Sequence, residues 1–439
     1  MTAAIAATCL VSIFAAQVLL VLALTVFAAR IAARQTTFPR LPLDGPIAAF
    51  VVWTLLSAAF SGNPVWSHES SKKLVLFLLL YLAIDGAAFW EHRERLVDCL
   101  LLGGLALSGE ALVQYYFLGY DGLNSRPRSF LGHYMTASGL AMGTALLAAC
   151  RLVFRSTWPT WPTRADLRAP LALALALGAY GLLQAARVAP LLAERVFVAG
   201  LALAAGALAL SRGRWHGPAS ASTLALLALS CSTWALLVSR TRSAWLGLAM
   251  GALTIAVLRA PRTAILVPLG IAGVLVLRPA PVIERLTVSD DSSRDRYYMW
   301  QAGLDMIADK PVFGQGPGMI KYTYPQYRWP QAPGPNAHHL HNNLVQVAAE
   351  RGLPCLAWWL WLMVAALGGA WREMRRAALP GGLPSPSRWV AAAALAVLVA
   401  ILTAGLFEYN FGDSEVLMFT LLVIALPYAL RRERARLRS

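Results

Sequence analysis

The chain has 439 residues, 58% of them hydrophobic and only 14% charged, whereas soluble domains average about 25% charged residues. Such a chain cannot cover itself with a wetted surface, so a water-soluble globule is excluded and the bilayer is the natural solvent. The net charge of +16 would suggest nucleic acid in a soluble protein, but here it is mostly arginine in short segments between apolar runs, so no nucleic-acid partner is expected.

Apolar runs occupy 3–28, 44–61, 74–90, 97–118, 134–150, 169–186, 196–211, 221–239, 243–258, 263–277, 343–370, 389–407 and 415–430. Several are shorter than the ~20 residues of a straight span, and the expectation is an all-α polytopic membrane protein with about 12 transmembrane helices. The first run lacks a basic leader and is too long for a cleavable signal, so it reads as a retained span. Cys9, Cys99, Cys150, Cys231 and Cys355 lie in or beside apolar runs, with no pair at metal-ligand spacing, and read as small core residues. Neither an internal repeat nor a linker divides the chain, so 1–439 is one membrane domain with a single large polar loop at 278–342.

Alternate short segments hold 22 of the 38 Lys and Arg, including Arg30, Arg34 and Arg40 near one end and Arg431, Arg432, Arg434, Arg436 and Arg438 at the other. The positive-inside bias places these segments in the cytoplasm and the long loop outside. Twelve spans put both termini inside and thirteen put the N-terminus outside, while five Arg in the eight residues 431–438 hold the C-terminus in the cytoplasm.

Outer segments carry His68, His133, His338, His339 and His341, and Arg126, Arg128, Arg187, Arg195, Arg240, Arg242, Arg294 and Arg296. Positive charge against the bias points to function, with headgroup contact as the bland alternative for any single Arg. The cluster Asn336-Ala-His-His-Leu-His-Asn-Asn343 precedes an apolar helix. Three His in four residues suit a metal or a general base, and with no carboxylate inside the cluster the base is the better fit. On a helix, His338 and His341 would share a face. Ser239-Arg-Thr-Arg-Ser-Ala-Trp-Leu246 breaks two apolar runs with two guanidiniums, whose fork matches phosphate oxygens; snorkelling to water is the alternative. Asp290 to Trp300 leads into an amphipathic helix. The glycines of Asp309-Lys-Pro-Val-Phe-Gly-Gln-Gly-Pro-Gly318 read as a turn after a helix stop, because no strand precedes them and no Lys-Ser/Thr follows.

In this order, the pieces resemble the O-antigen ligase and polymerase superfamily. "RPRSFLGHYMTASGLAM" is similar to its Arg-rich loop entering a helix. "SRTRSAWLGL" is similar to its Ser/Thr-x-Arg-Gly/Ser-Ala-Trp element, with the family Arg at Arg242. "SSRDRYYMWQAGLDMIADKPVFGQGPG" resembles its Arg-x-x-x-Trp helix and glycine turn, with the second Arg at Arg296. The signature His-Asn, nine residues, Gly-x-x-Gly begins at His341-Asn342 and reaches Gly352. Its second glycine is replaced by Cys355, so closer helix packing is not expected there. "FEYNFGDSEV" also looks family-like and offers Glu408 near the outer face.

The resemblance implies a fold like membrane glycosyltransferase class C, in the bacterial inner membrane, with a periplasmic catalytic loop. It implies a glycan donor on undecaprenyl diphosphate and, for a ligase, a lipid A-core acceptor. Many class C members hold a metal on acidic residues of an early outer loop. The corresponding stretch, Gly62 to Lys73, has only Glu69, so neither metal nor cofactor is expected. Arg242 and Arg296 are then expected on the diphosphate, with Arg240, Arg126, Arg128 and Arg187 as further substrate contacts. One of His341, His338 and His339 is the expected base, with the motif favouring His341. The rival readings are a polymerase with the same chemistry, an oligosaccharyltransferase acting on protein, and a lipid-oligosaccharide transporter. Ionisable groups gathered outside rather than mid-span weigh against transport.

Overall fold

A computed structural model describes residues 1–122, 125–154, 218–277, 291–376 and 386–436. The expected runs 169–186 and 196–211, and Arg187, lie outside the described residues. All regular elements among the described residues are helical. In chain order they are α1 (Thr2–Thr8), α2 (Ile13–Ala32), α3 (Asp44–Ala59), α4 (Pro64–Ser70), α5 (Leu78–Gly86), α6 (Trp90–Phe117), α7 (Tyr134–Phe154), α8 (Pro218–Ser239), α9 (Arg242–Arg259), α10 (Leu266–Leu277), α11 (Asp291–Asp309), α12 (Ile320–Tyr327), α13 (Asn343–Arg376), α14 (Pro386–Ala404) and α15 (Ser414–Arg436), with short 3₁₀ turns between some of them.

Six described helices, α2, α6, α7, α8, α13 and α15, are long and apolar enough to cross a membrane, and α3 and α14 are shorter apolar helices. The chain is thus a multi-pass membrane protein. The N-terminal run is two helices rather than one span: the chain breaks at Cys9–Ser12, where the Ser12 hydroxyl accepts the Ala15 N–H and caps α2. The short α1 packs on α6, so close that a Cβ at Gly103 would meet the Ala7 carbonyl oxygen at 2.6 Å.

Within the bundle, small residues let helices touch, as packing without a hydrophobic drive requires. Gly247 and Gly251 lie one turn apart on α9 and face the Ala396 and Ala400 backbone of α14. The run Ala391–Ala394 on α14 is fully buried.

Helix directions separate two polar ends. Arg93, Glu94 and Asp98 open α6, Arg151 closes α7, and Arg432 and Glu433 lie near the end of α15. There buried Arg151 pairs with Asp98 and with Glu94 at 2.6 Å, Arg93 with Glu433 at 2.9 Å, and Asp85 with both Arg30 and Arg432 at 3.1 and 2.8 Å. At the other end, Gln114 closes α6, Thr136 opens α7 and Asp413 precedes α15. Thr136 donates to Asp413 at 2.6 Å.

At that second end the polar loop is bolted onto a broken helix. Gly352, with φ 80°, interrupts α13, and a Cβ there would lie 1.9 Å from the Val312 oxygen. The 311–316 strand of loop runs alongside the break: Leu353 N–H donates to Pro311 O, Gln315 N–H to Ala349 O and Gly316 N–H to Glu350 O, each at 2.8 Å. The glycine turn after α11 is therefore a docking surface, in keeping with its reading as a shaped turn. Cys355 does not loosen this region: it is fully buried, with its sulfur 3.7 Å from the Thr54 hydroxyl of α3.

Candidate active site

The His cluster is irregular backbone rather than the first turn of α13, so the expected i, i+3 pairing of His338 with His341 is not formed. Instead the side chains alternate. Leu340 is fully buried among Met299, Met306, Ile320 and Tyr324, below α11 and α12. Its neighbours His339 and His341 turn the other way, their rings 4.2 Å apart. His338 is exposed.

Asparagines fix this segment. The Asn342 side-chain oxygen caps α13, accepting from Leu344 N–H at 2.8 Å and Val345 N–H at 3.1 Å, and its amide donates to Leu406 O at 2.9 Å. Asn343 donates to the Asn410 side chain at 2.7 Å, and its backbone N–H donates to Gly405 O at 2.7 Å. The cluster is thereby tied to the segment between α14 and α15. His341 sits with φ 50°, in the left-handed region that is uncommon for non-glycine residues; the Asn342 bonds on its C-terminal side help hold it there.

That tie brings Glu408 to the histidines. Its Oε1 lies 3.1 Å from His339 Nε2 and its Oε2 lies 2.9 Å from His341 Nδ1. An ionised carboxylate only accepts, so each facing nitrogen carries a proton, and in an uncharged ring the other nitrogen, His341 Nε2 or His339 Nδ1, keeps its lone pair. Arg296 Nη2 is 4.0 Å from the same Oε2.

Burial pushes the Glu408 carboxyl up, but hydrogen bonds from His339 and His341 and their charge overcome it and hold it well below the usual range. Burial also pushes both imidazoles down. At His339 the bond and charge of Glu408 prevail and the net direction is up. At His341 burial, with the neighbouring charges of His339 and Arg296, prevails over Glu408 and the net direction is down. Near neutral pH, His341 is the ring kept in its basic, uncharged form. Burial, with help from the Glu408 charge, pushes Asp413 up.

Two cavities flank the segment Phe407–Tyr409 without sharing a lining residue. One, of about 290 Å³, is lined by Arg242, Ser243, Leu246, Ser293, Arg296, Tyr297, Trp300 and Phe407. Its α11 wall follows helical spacing: Ser293, Arg296, Tyr297 and Trp300 are i, i+3, i+4 and i+7. Arg242 opens α9, where the helix dipole favours an anion, and donates to Ser293 Oγ at 2.7 Å. Leu246 and Tyr297 are exposed beside it. The other cavity, of about 320 Å³, takes in His338, His339, Tyr409 and Asp413, with Trp66, Lys73 and Lys321. Lys321 Nζ lies 4.1 Å from the centre of the Trp66 ring. Phe407, Glu408 and Tyr409, consecutive in sequence, stand between the two.

Of the remaining expected arginines, the described ones, Arg240, Arg126 and Arg128, lie outside both linings. Arg240 is buried and donates to the Asp121 carbonyl. The Arg126 guanidinium stacks on Tyr134 at 4.5 Å, and that of Arg128 on Tyr120 at 5.2 Å. The acids nearest the cluster in sequence are engaged structurally. Glu350 accepts from Gly318 N–H and Gln346 at 2.9 Å, Asp305 accepts from Trp329 at 2.9 Å and Asp309 from Tyr327 at 2.5 Å.

Among the described residues, His339, His341 and Glu408 are a group able to hold a metal ion, their ligand atoms lying within 4.8 Å of one another. The fit is poor in charge: the Arg296 cation beside Glu408 opposes a dication there.

Residues 224–360 match the family described as O-Antigen ligase. The matched stretch holds Arg242, Arg296 and the three histidines, and stops short of Glu408. No curated protein matches the chain.

Proposed function

We propose that this chain is an O-antigen ligase, a reading supported by the match of residues 224–360 to the family described as O-Antigen ligase. In this reading it moves a glycan from undecaprenyl diphosphate to a sugar hydroxyl of lipid A-core, without a metal. The observation that carries the reading is the convergence of Arg242 and Arg296, 54 positions apart, on one cavity beside a carboxylate that holds two imidazoles.

The donor diphosphate sits against Arg242 and Arg296, its lipid leaving past exposed Leu246 toward the bilayer. The acceptor approaches from the His339 cavity. Its hydroxyl oxygen forms the new bond to the donor's anomeric carbon as the bond from that carbon to the phosphate oxygen breaks. The lipid diphosphate departs with the bonding pair, and the hydroxyl proton passes to His341 Nε2. Glu408 keeps that nitrogen unprotonated beforehand and balances the imidazolium afterwards. The two guanidiniums meet the charge that develops on the leaving group, a contribution of about 2.7–4 kcal/mol per well-placed contact in comparable sites.

The full topology belongs to the same proposal: about twelve spans in the bacterial inner membrane, cytoplasmic C-terminus and a catalytic loop at 278–342 in the periplasm. The test is purified protein with a lipid-diphosphate glycan and rough lipopolysaccharide. Glycan on lipopolysaccharide supports the ligase. Longer donor-linked chains, with lipopolysaccharide unmodified, replace it with the polymerase.

A further inference from the structure

A further cavity lies at the opposite end from the histidines. It has a volume of about 980 Å³, between the segment 34–41 that follows α2 and the end of α15. Four guanidiniums line it, those of Arg34, Arg40, Arg431 and Arg432, and no carboxylate does.

The nearby acid is committed to one of them and to a cation outside the lining. Asp85 already pairs with Arg30 at 3.1 Å and with Arg432 at 2.8 Å, one carboxylate to two cations. Arg432 is a structural member, also donating to Thr36 Oγ at 3.1 Å and Thr37 O at 3.0 Å. The guanidiniums of Arg34, Arg40 and Arg431 have no ion pair or hydrogen bond among the described residues, and all three residues are exposed. A guanidinium stays charged at every relevant pH. The positive-inside bias asks only that arginines lie on this side of the membrane; it does not ask that they converge on a cavity. Arg34 converges from a left-handed backbone, φ 56°, where glycine would be easier.

The apolar surroundings select among anions. Phe38, Leu41 and Ile84 also line the cavity. The adjoining α2 buries only 22% of its apolar window against protein, and Val18, Val21, Leu22 and Val26 are exposed along it. The cavity thus adjoins a helix with an exposed apolar face. We propose that it binds the phosphodiester headgroup of an anionic phospholipid, its acyl chains lying along α2. A free phosphate shares the guanidinium chemistry but gains nothing from that apolar border.

The test is native mass spectrometry of the full-length protein in detergent, titrated separately with phosphatidylglycerol, phosphatidylethanolamine and inorganic phosphate. The variants are R34Q/R40Q/R431Q, the single R40Q, and R259Q/R262Q/R388Q as an equal charge loss at residues that touch none of the lining. Phosphatidylglycerol should be retained in preference to phosphatidylethanolamine. Retention should fall about fivefold in R40Q and on the order of a hundredfold in the cavity triple variant, from a juxtamembrane contribution near fivefold per arginine. The distal triple variant should retain lipid as wild type does. Equal loss in both triple variants would overturn the proposal in favour of general surface charge. Unchanged retention in R40Q, or phosphate binding without lipid preference, would overturn it too.

Discussion

Replacing Glu408 by Gln changes the hydrogen-bond logic of the site with almost no change in shape. The carboxylate accepts from both His339 Nε2 and His341 Nδ1. A carboxamide has one accepting oxygen and one donating nitrogen, so one ring must reverse its tautomer and present a proton on the nitrogen that faces away. If His341 reverses, its Nε2 is no longer a base. If His339 reverses, His341 keeps its tautomer but exchanges a charged acceptor for a neutral one. A hydrogen bond to a charged group contributes about 1.5–3 kcal/mol, so its loss in the transition state lowers kcat roughly 10- to 150-fold. Tautomer reversal deepens the loss to as much as about 10⁴-fold. The carboxylate also raises the His341 pKa, so its removal moves the acid limb of the rate profile further down. The assay is kcat against pH for wild type and E408Q at matched abundance, with donor binding measured in parallel. Wild-type kcat and an unmoved acid limb in E408Q, with the fold intact, would refute the role given to this carboxylate.

Wild-type kcat should fall as pH drops through a midpoint below 6.5, because burial holds His341 below the ordinary imidazole value and only its neutral form takes a proton; a midpoint above 6.5 that disappears in H339A would move the base to His339. H341A should lose about 10²–10⁴-fold in kcat with donor affinity kept, and H338A, an exposed side chain, should lose far less. R242A and R296A should each lower kcat about 10²–10³-fold at normal membrane abundance, with Lys recovering only part for want of the bidentate fork; a fully active R296A would take Arg296 out of the site. Transfer should survive metal stripping and excess chelator, and activity restored only by a divalent cation would assign the His339, His341 and Glu408 group to a metal. Gly352→Ala should destabilise the protein by roughly 2–5 kcal/mol, seen as a lowered thermal midpoint, since its Cβ overlaps the Val312 oxygen at a positive φ.

The helix positions and the chemistry-bearing loop were legible because apolar runs and polar breaks are local signals. Arg242 and Arg296 could be picked from their motifs, and the structure brings them to one cavity. The choice among the histidines was not legible. It depends on whether the segment is helical, and Leu340, drawn into the pocket under α11 and α12, pulls the backbone out of a helix and sets His339 and His341 side by side. Glu408 was visible as a nearby acid, but its role rests on a contact across 67 positions that Asn342 and Asn343 enforce. The break before Ser12 was hidden because both flanks are apolar and only one serine marks the cap. The basic cavity was invisible for a different reason: its arginines come from near the two ends of the chain, and read singly they look like topology signals.

Two cavities that share no lining residue have a kinetic meaning. If the donor and acceptor occupy them as proposed, neither substrate has to vacate its place before the other arrives, and Glu408, between Phe407 of one lining and Tyr409 of the other, serves both. Transfer then proceeds through one ternary complex, and initial rates at several fixed acceptor levels give intersecting rather than parallel double-reciprocal lines. Donor turnover without acceptor is reduced to whatever water can reach the anomeric carbon from the His339 side. Under the proposed reaction the same separation divides evolutionary labour: residues around Trp66 and Lys321 could change with the acceptor, while the arginine wall proposed to meet the diphosphate would stay as it is.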